Sequence, residues 1–176
     1  MERWLGWPTL QKVMSTHFER WKFKHPRPHD FFDVVSEVAG RDLGWYFDQV
    51  YRSSNVFDYG VAELRSTPEG SQYHTTVVVR RYGEAILPVD VAVSFKNGSK
   101  VKETWNGRDR WKLYTYDRPE QAVSAIVDPD RLLLLDINLT NNSRTLAPVS
   151  DEAATKWSMK WMIWVQDHLL SWAFFV

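Results

Sequence analysis

Residues 58–81, DYGVAELRSTPEGSQYHTTVVVRR, decide the fold class. DYGVAELR and QYHTTVVVRR are short runs with a period of two, which sends successive side chains to opposite faces of a strand. TPEGS between them carries the proline and glycine of a turn. Toward the C-terminus the pattern recurs in LPVDVAVSF, KVKETW, RWKLYTY, QAVSAIV and LLLLD, divided by YGE, KNGS, NGRD, DRPE and DPD. Asn97–Gly98 is the strongest hairpin signal, because both residues tolerate positive φ. About seven short strands at this spacing predict an antiparallel sandwich or barrel.

Toward the N-terminus the period lengthens. Leu10, Val13, Met14, Phe18 and Trp21 recur at helical steps and predict an apolar stripe. Pro26 and Pro28 break the chain. Phe31, Val34, Val35 and Val38 mark a second helix, stopped by Gly40. Asp42 is placed to N-cap a third, with Leu43, Tyr46, Phe47 and Val50 inward. MERWLGWPTLQKVM lacks the apolar core and small-residue cleavage site of a signal peptide. Its ERWL reads as the tail of a helix halted by Gly6 and Pro8.

At the other end, NLTNNSRTLAPVS reads as a polar linker. Ser150 then caps a last helix running to residue 176, with Asp151 and Glu152 in its first turn. Its polar stripe is narrow: Glu152, Lys156, Lys160, Asp167 and Ser171. Trp157, Trp161, Met162, Val165, Leu169, Trp172 and Phe175 lie off it. About 25 helical residues span roughly 37 Å, enough for a bilayer core. The two lysines, the aspartate and the histidine within it argue against spanning. The expected destination is burial within this chain; the others are a further domain, self-association through 157–176, or a membrane surface with tryptophans at headgroup level.

The chain has 176 residues, 44% apolar and 25% charged, with 22 basic and 22 acidic residues. A neutral chain with no basic run offers no electrostatic footprint for nucleic acid. The absence of cysteine excludes disulfides, thiolate metal sites and a cysteine nucleophile. Ten tryptophans predict extensive buried aromatic packing, each N–H needing a partner.

His25 and His29 have the i, i+4 spacing of a zinc-binding helix pair. Pro26 and Pro28 beside them forbid that helix, and no glutamate follows His25. The stretch reads as a helix start, with Pro28 at the first position and Asp30 in the first turn. His17, His74 and His168 have no partner at ligand spacing. No nucleophile elbow or phosphate loop is present. Asp48, Asp58 and Asp90 stand alone, so no acid–base pair is evident. Arg80–Arg81 reads as a solvated strand end. RWKLYTY sets Trp111, Leu113 and Thr115 against Lys112, Tyr114 and Tyr116: an aromatic platform for sugar or peptide, or the outer face of a sandwich covered by a neighbouring domain.

HPRPHDFFDVVSEVAGRDLGWYFDQVYRSSNVFDYGVAEL, residues 25–64, resembles the region after the active site in the membrane alanyl aminopeptidase family of zinc metallopeptidases, the glutamate zincins. The match lies on His25, Pro26, Pro28, Asp30, Phe31, Phe32, Gly40, Arg41, Asp42, Leu43, Trp45, Phe47, Asp48 and Gln49. It reaches back to LGWPTLQKVMSTHFERWKF and, more loosely, forward to DPDRLLLLDINLTNNSRTL. Arg27 and Tyr46 depart from it. The resemblance implies a β-sandwich after the helices. It also implies that the family's zinc ligands, general-base glutamate, exopeptidase glutamate and catalytic tyrosine belong upstream of Met1.

The expected fold is therefore α+β: an N-terminal helical segment ending a catalytic domain (1–56), an antiparallel β-sandwich (57–140), and a linker with a long C-terminal helix (141–176). No catalytic, cofactor-binding or metal-ligating residue is assigned in this chain; zinc is expected in a full-length relative. The implied function is the non-catalytic C-terminal portion of an aminopeptidase-like metallopeptidase, inactive alone, which supports the catalytic domain and shapes its cleft. Its partners are the upstream catalytic domain and, in the intact protein, a peptide. The alternative is a free-standing sandwich that binds glycan or protein.

Overall fold

The computed structural model describes residues 1–173. Four helices lead: α1 (Glu2–Leu5), α2 (Trp7–Trp21), α3 (Pro28–Ala39) and α4 (Gly44–Val50). Seven strands follow: β1 (Tyr59–Glu69), β2 (Gln72–Arg81), β3 (Val89–Phe95), β4 (Lys100–Trp105), β5 (Trp111–Arg118), β6 (Ala122–Val127) and β7 (Ser143–Thr145). The last helix is α5 (Ser150–Ala173). The strands form two antiparallel sheets, β1-β2-β5 and β4-β3-β6-β7. They face each other through β1 and β2 against β6, and β1 against β7. The α+β fold with a sandwich and a long terminal helix is thus as the sequence predicts.

Alternation builds the sandwich core. Val77 and Val79 of β2, Val91 and Val93 of β3 and Val127 of β6 lie within one buried cluster. Each fully buried valine contributes about 1.5–3 kcal/mol of transfer free energy. The cluster continues into the helices through Val13, Val34, Val35, Leu43, Tyr46 and Phe47. Helices and sandwich therefore share one core.

The helix start at Pro28 is as expected. Arg27, the N-cap, offers no side-chain acceptor, and the Asp30 carboxylate instead accepts the Arg27 N–H at 2.7 Å. Gly40, at φ 67°, ends α3 in the left-handed conformation that suits glycine. Pro8, expected to halt a helix, opens α2 within its first two positions.

Several expectations are corrected. Residues 132–136 form a tight loop, not a strand, and the seventh strand lies inside the stretch read as linker. In the hairpin between β3 and β4 only Gly98 has positive φ. Its N–H donates to Phe95 O and the Phe95 N–H to Ser99 O, so this is a tight turn closed by a left-handed glycine rather than a two-residue loop. Among the tryptophans Trp105 is fully buried, while Trp7, Trp45, Trp111 and all those of α5 are exposed. The buried N–H groups of Trp21 and Trp105 have no partner among the described residues. Burial of α5 is overturned outright: every residue from Ser150 to Ala173 is exposed. The part of the expected helix at 174–176, Phe175 included, lies outside the described residues.

Leu43, not Asp42, holds the N-cap position of α4. Asp42 acts from one residue earlier, its carboxylate accepting the Gly44 N–H at 2.8 Å. Asp42→Ala is expected to cost about 1 kcal/mol, the usual loss for a cap. The urea midpoint checks it, and an unchanged midpoint means that water serves Gly44 equally well.

Candidate interaction surface

The three carboxylates singled out in the sequence each have a partner within the chain. Asp48 pairs with Arg52 at 2.7 Å, and Asp58 accepts from Asn141 Nδ2 at 2.7 Å. Asp90 accepts from the Thr104 hydroxyl and from Lys102, which together hold its carboxyl below the usual range. His25 and His29 are both exposed, His29 in the first turn of α3 and 3.5 Å from Asp30. His17 packs edge-on against Phe31 at 5.3 Å. Among the described residues no group of three or more histidine, aspartate or glutamate side chains could hold a metal ion.

His74 and Asp117 are cross-strand partners on the outer face of β2 and β5, with Nδ1 2.6 Å from Oδ1. The hydrogen bond to Asp117 raises the histidine pKa above 6.5, aided by the charges of Asp117 and Glu69. A raised folded value means that the pair's stabilisation is complete below the unfolded pKa and fades as pH rises through the folded one. By NMR the His74 ring should titrate above 6.5 and return toward it in Asp117→Asn. A wild-type midpoint at or below 6.5 refutes the pairing.

Arg80–Arg81 is not a solvated strand end. Arg80 is exposed, but Arg81 is buried and donates to the carbonyls of Gly107 (2.9 Å), Gly83 (2.6 Å), Glu84 (3.1 Å) and Arg108 (3.4 Å). No carboxylate lies among these acceptors. Strand parity signals this position, since Arg81 shares its face with Val77 and Val79.

What remains unexplained by internal packing is apolar. A notch of about 470 Å³ opens between α1, α4 and the loop after β6; Trp4, Tyr46, Phe47, Val50, Leu87 and residues 132–135 supply its apolar lining, and residues 1–3, with the charged Glu2 and Arg3, complete it. Trp4 stacks on Tyr46 at 5.1 Å under the Arg41 guanidinium at 4.8 Å. The loop is fixed by two buried carboxylates. Asp128, at φ 53°, accepts the N–H groups of Leu132 and Leu133 at 2.9 and 2.8 Å. Asp136 accepts from Asn138 N, Tyr59 N and Asn142 Nδ2. Arg3 Nη1 ties α1 to Arg131 O at 3.0 Å.

In this hydrogen-bonded loop Leu133 enters the core, and its other apolar side chains face outward. Leu134 is 64% exposed and Ile137 66%, with Leu135 and Leu139 also exposed. On α2 the predicted stripe splits: Val13 is buried, whereas Met14 and Phe18 face solvent, as does Trp7. Apolar groups held out of the core by satisfied hydrogen bonds lose little further entropy on binding, which suits a docking surface. Sequence reading missed the loop because LLLLD looks like a buried strand; Asp128 and Asp136, placed to take backbone N–H groups, were the available signal.

On the platform stretch, Trp111, Leu113 and Thr115 do face outward. Tyr114 is buried and Tyr116 half-buried, so the tyrosines do not join the tryptophan.

No family model matches the sequence, and no curated protein matches it. Among solved structures it is similar to aminopeptidase A of Legionella pneumophila, crystallised with aspartic acid, at 12% identity and a TM-score of 0.49. The alignment covers 72% of this chain and spans 15% of that chain's length. A likeness at this level says nothing of activity.

Proposed function

We propose that this chain is a non-catalytic portion of a zinc aminopeptidase-like metallopeptidase, which braces the catalytic domain, shapes its cleft and is inactive alone. The observation that carries the reading is the largely apolar relief of the notch and of Leu134, Leu135, Ile137 and Leu139, which a neighbouring domain would cover. The residues of the resemblance support it through their work. Phe32 stacks on Phe47 at 4.0 Å, joining α3 to α4. Gln49 reaches from α4 to the sandwich, donating to Ile86 O at 2.8 Å and accepting the Ile86 N–H. The side chains described here hold helices and sandwich together; none forms a reactive constellation.

The glycan-binding alternative needs an exposed row of tyrosine and tryptophan on β5. Tyr114 points into the core, so that row is not formed.

Two measurements test the proposal. The coding sequence 5′ of the Met1 codon should hold, in frame, an HExxH followed by a distant glutamate; an in-frame stop directly upstream overturns the reading. The dialysed chain should carry no stoichiometric zinc and hydrolyse no aminoacyl substrate. One tight zinc per chain, lost in His25→Ala, also overturns it.

A further inference from the structure

Asparagine is followed by glycine twice in this chain, at Asn97–Gly98 and at Asn106–Gly107. Glycine has no side chain to shield its backbone nitrogen, so in this dipeptide the nitrogen can reach the asparagine side-chain carbon. The two steps are alike in their local geometry. They flank β4, the first before the strand and the second after it. Both asparagines are exposed. Each uses Oδ1 to accept the N–H two residues on, that of Ser99 at 2.9 Å and that of Arg108 at 3.1 Å. Both glycines have positive φ, 84° at Gly98 and 70° at Gly107.

Their surroundings differ. Gly98 is exposed at the tip of the β3–β4 hairpin, and a Cβ built on it would meet nothing within 4 Å. The hydrogen bond from its N–H to Phe95 O, at 2.9 Å, restrains it. Gly107 is buried, and a Cβ there would stand 2.7 Å from both Leu87 O and the Tyr59 hydroxyl oxygen. Its carbonyl accepts from Arg81 Nε at 2.9 Å, and the next carbonyl, Arg108 O, accepts from Arg81 Nη2 at 3.4 Å. The guanidinium therefore holds the chain directly after Asn106.

We propose that Asn97 is a site of spontaneous deamidation, and that the packing of Gly107 and the Arg81 clamp protect Asn106 from the same reaction. The Gly98 nitrogen gives its proton to hydroxide, leaves Phe95 O and attacks Asn97 Cγ. The bond from Gly98 N to Cγ forms, the Cγ–Nδ2 bond breaks, and ammonia departs with a proton from water, which restores the hydroxide. Negative charge gathers on Oδ1 during the attack, where the Ser99 N–H already donates. Water then opens the succinimide at Cγ to give aspartate, or at the main-chain carbonyl of residue 97 to give isoaspartate. In sum a water is consumed and an ammonia released, with no oxidant and no enzyme. Lys96 and Lys100 beside the tip favour the anionic states. A carboxylate replaces a neutral amide, so a chain of formal net charge zero becomes negative. The isoaspartate form also routes the backbone through Cγ, lengthening the turn that joins β3 to β4. Ring closure at Asn106 would instead move a glycine wedged against Leu87 and Tyr59, so that site waits for local opening. This proposal does not depend on the metallopeptidase reading.

The test is incubation of the full folded chain in mildly alkaline buffer, with electron-transfer fragmentation of its peptides to place aspartate and isoaspartate. Asn97 should convert at least about tenfold faster than Asn106, which reacts only through opening. In concentrated denaturant the two rates should come within about threefold of each other, because the unfolded chain protects neither. Arg81→Met, kept at a temperature where circular dichroism shows it folded, should convert faster than the wild type at Asn106 and at the same rate at Asn97. Equal rates at the two sites in the folded wild type, or an Asn97 that converts only in denaturant, overturns the proposal. So does a tenfold difference that persists in denaturant, since the fold is then not what selects the site. An Arg81→Met chain with an unchanged rate at Asn106 overturns the protective clamp.

Discussion

Arg81→Met should lower the stability of this protein by about 2–3 kcal/mol, seen as a fall in melting temperature of roughly 5–10 °C for a chain of this size. Methionine keeps much of the volume and removes the donors. The carbonyls of Glu84, Gly107 and Arg108 then lose the guanidinium, whereas Gly83 O keeps a bond from Arg110 at 3.1 Å. An unsatisfied buried acceptor costs about 1 kcal/mol or more. Part of this is offset because a desolvated charge also disappears. Arg81→Lys should recover only a fraction, since one ammonium cannot reproduce a planar fork aimed at two loops. Denaturant unfolding of the three proteins decides it: a shift of Arg81→Met under about 0.5 kcal/mol shows that water replaces the guanidinium without loss.

Gly83→Ala should be at least as damaging, by about 3 kcal/mol, through backbone contact alone. A Cβ at residue 83 would stand 2.1 Å from Val56 O and 2.9 Å from Val56 C. Neither is the end of a flexible side chain. The same Val56 carbonyl accepts the Ala85 N–H at 3.1 Å, and the Gly83 N–H donates to Asp58 O at 3.3 Å. Moving either segment therefore breaks the seam where the helices hand over to the sandwich. Thermal melting of Gly83→Ala measures the effect, and Gly70→Ala is the comparison, because residue 70 has open space around its Cβ position and tests backbone strain alone. If Gly83→Ala melts no lower than Gly70→Ala, the close approach is not a constraint on the fold.

Both predictions concern contacts between segments distant in sequence, and there the sequence reading fell short. Local rules served well where neighbours a few residues away supply the partner. Pro28 and Gly40 bound α3, and the alternation in 72–81 and 100–105 matches β2 and β4 residue for residue. The loop 132–136 was misread because four successive leucines mimic a buried strand; the local carboxylate of Asp128 bends it, and the long-range bond from Tyr59 N to Asp136, 77 residues away, anchors its end. The α2 stripe was legible, but the side that meets α3 was not; Val13 went in and Phe18 stayed out.

By itself, then, the sequence determined the periods, their boundaries and the neutral, cysteine-free chemistry, because periodicity and turn residues act over a few positions along the chain. Tertiary structure alone decided which carbonyls Arg81 clamps, that Leu134 and Leu135 face outward while Leu133 goes in, and that the described residues of α5 are exposed. Each depends on which surfaces meet, and hydrophobic burial, having no direction of its own, leaves that choice to the packing of the whole chain.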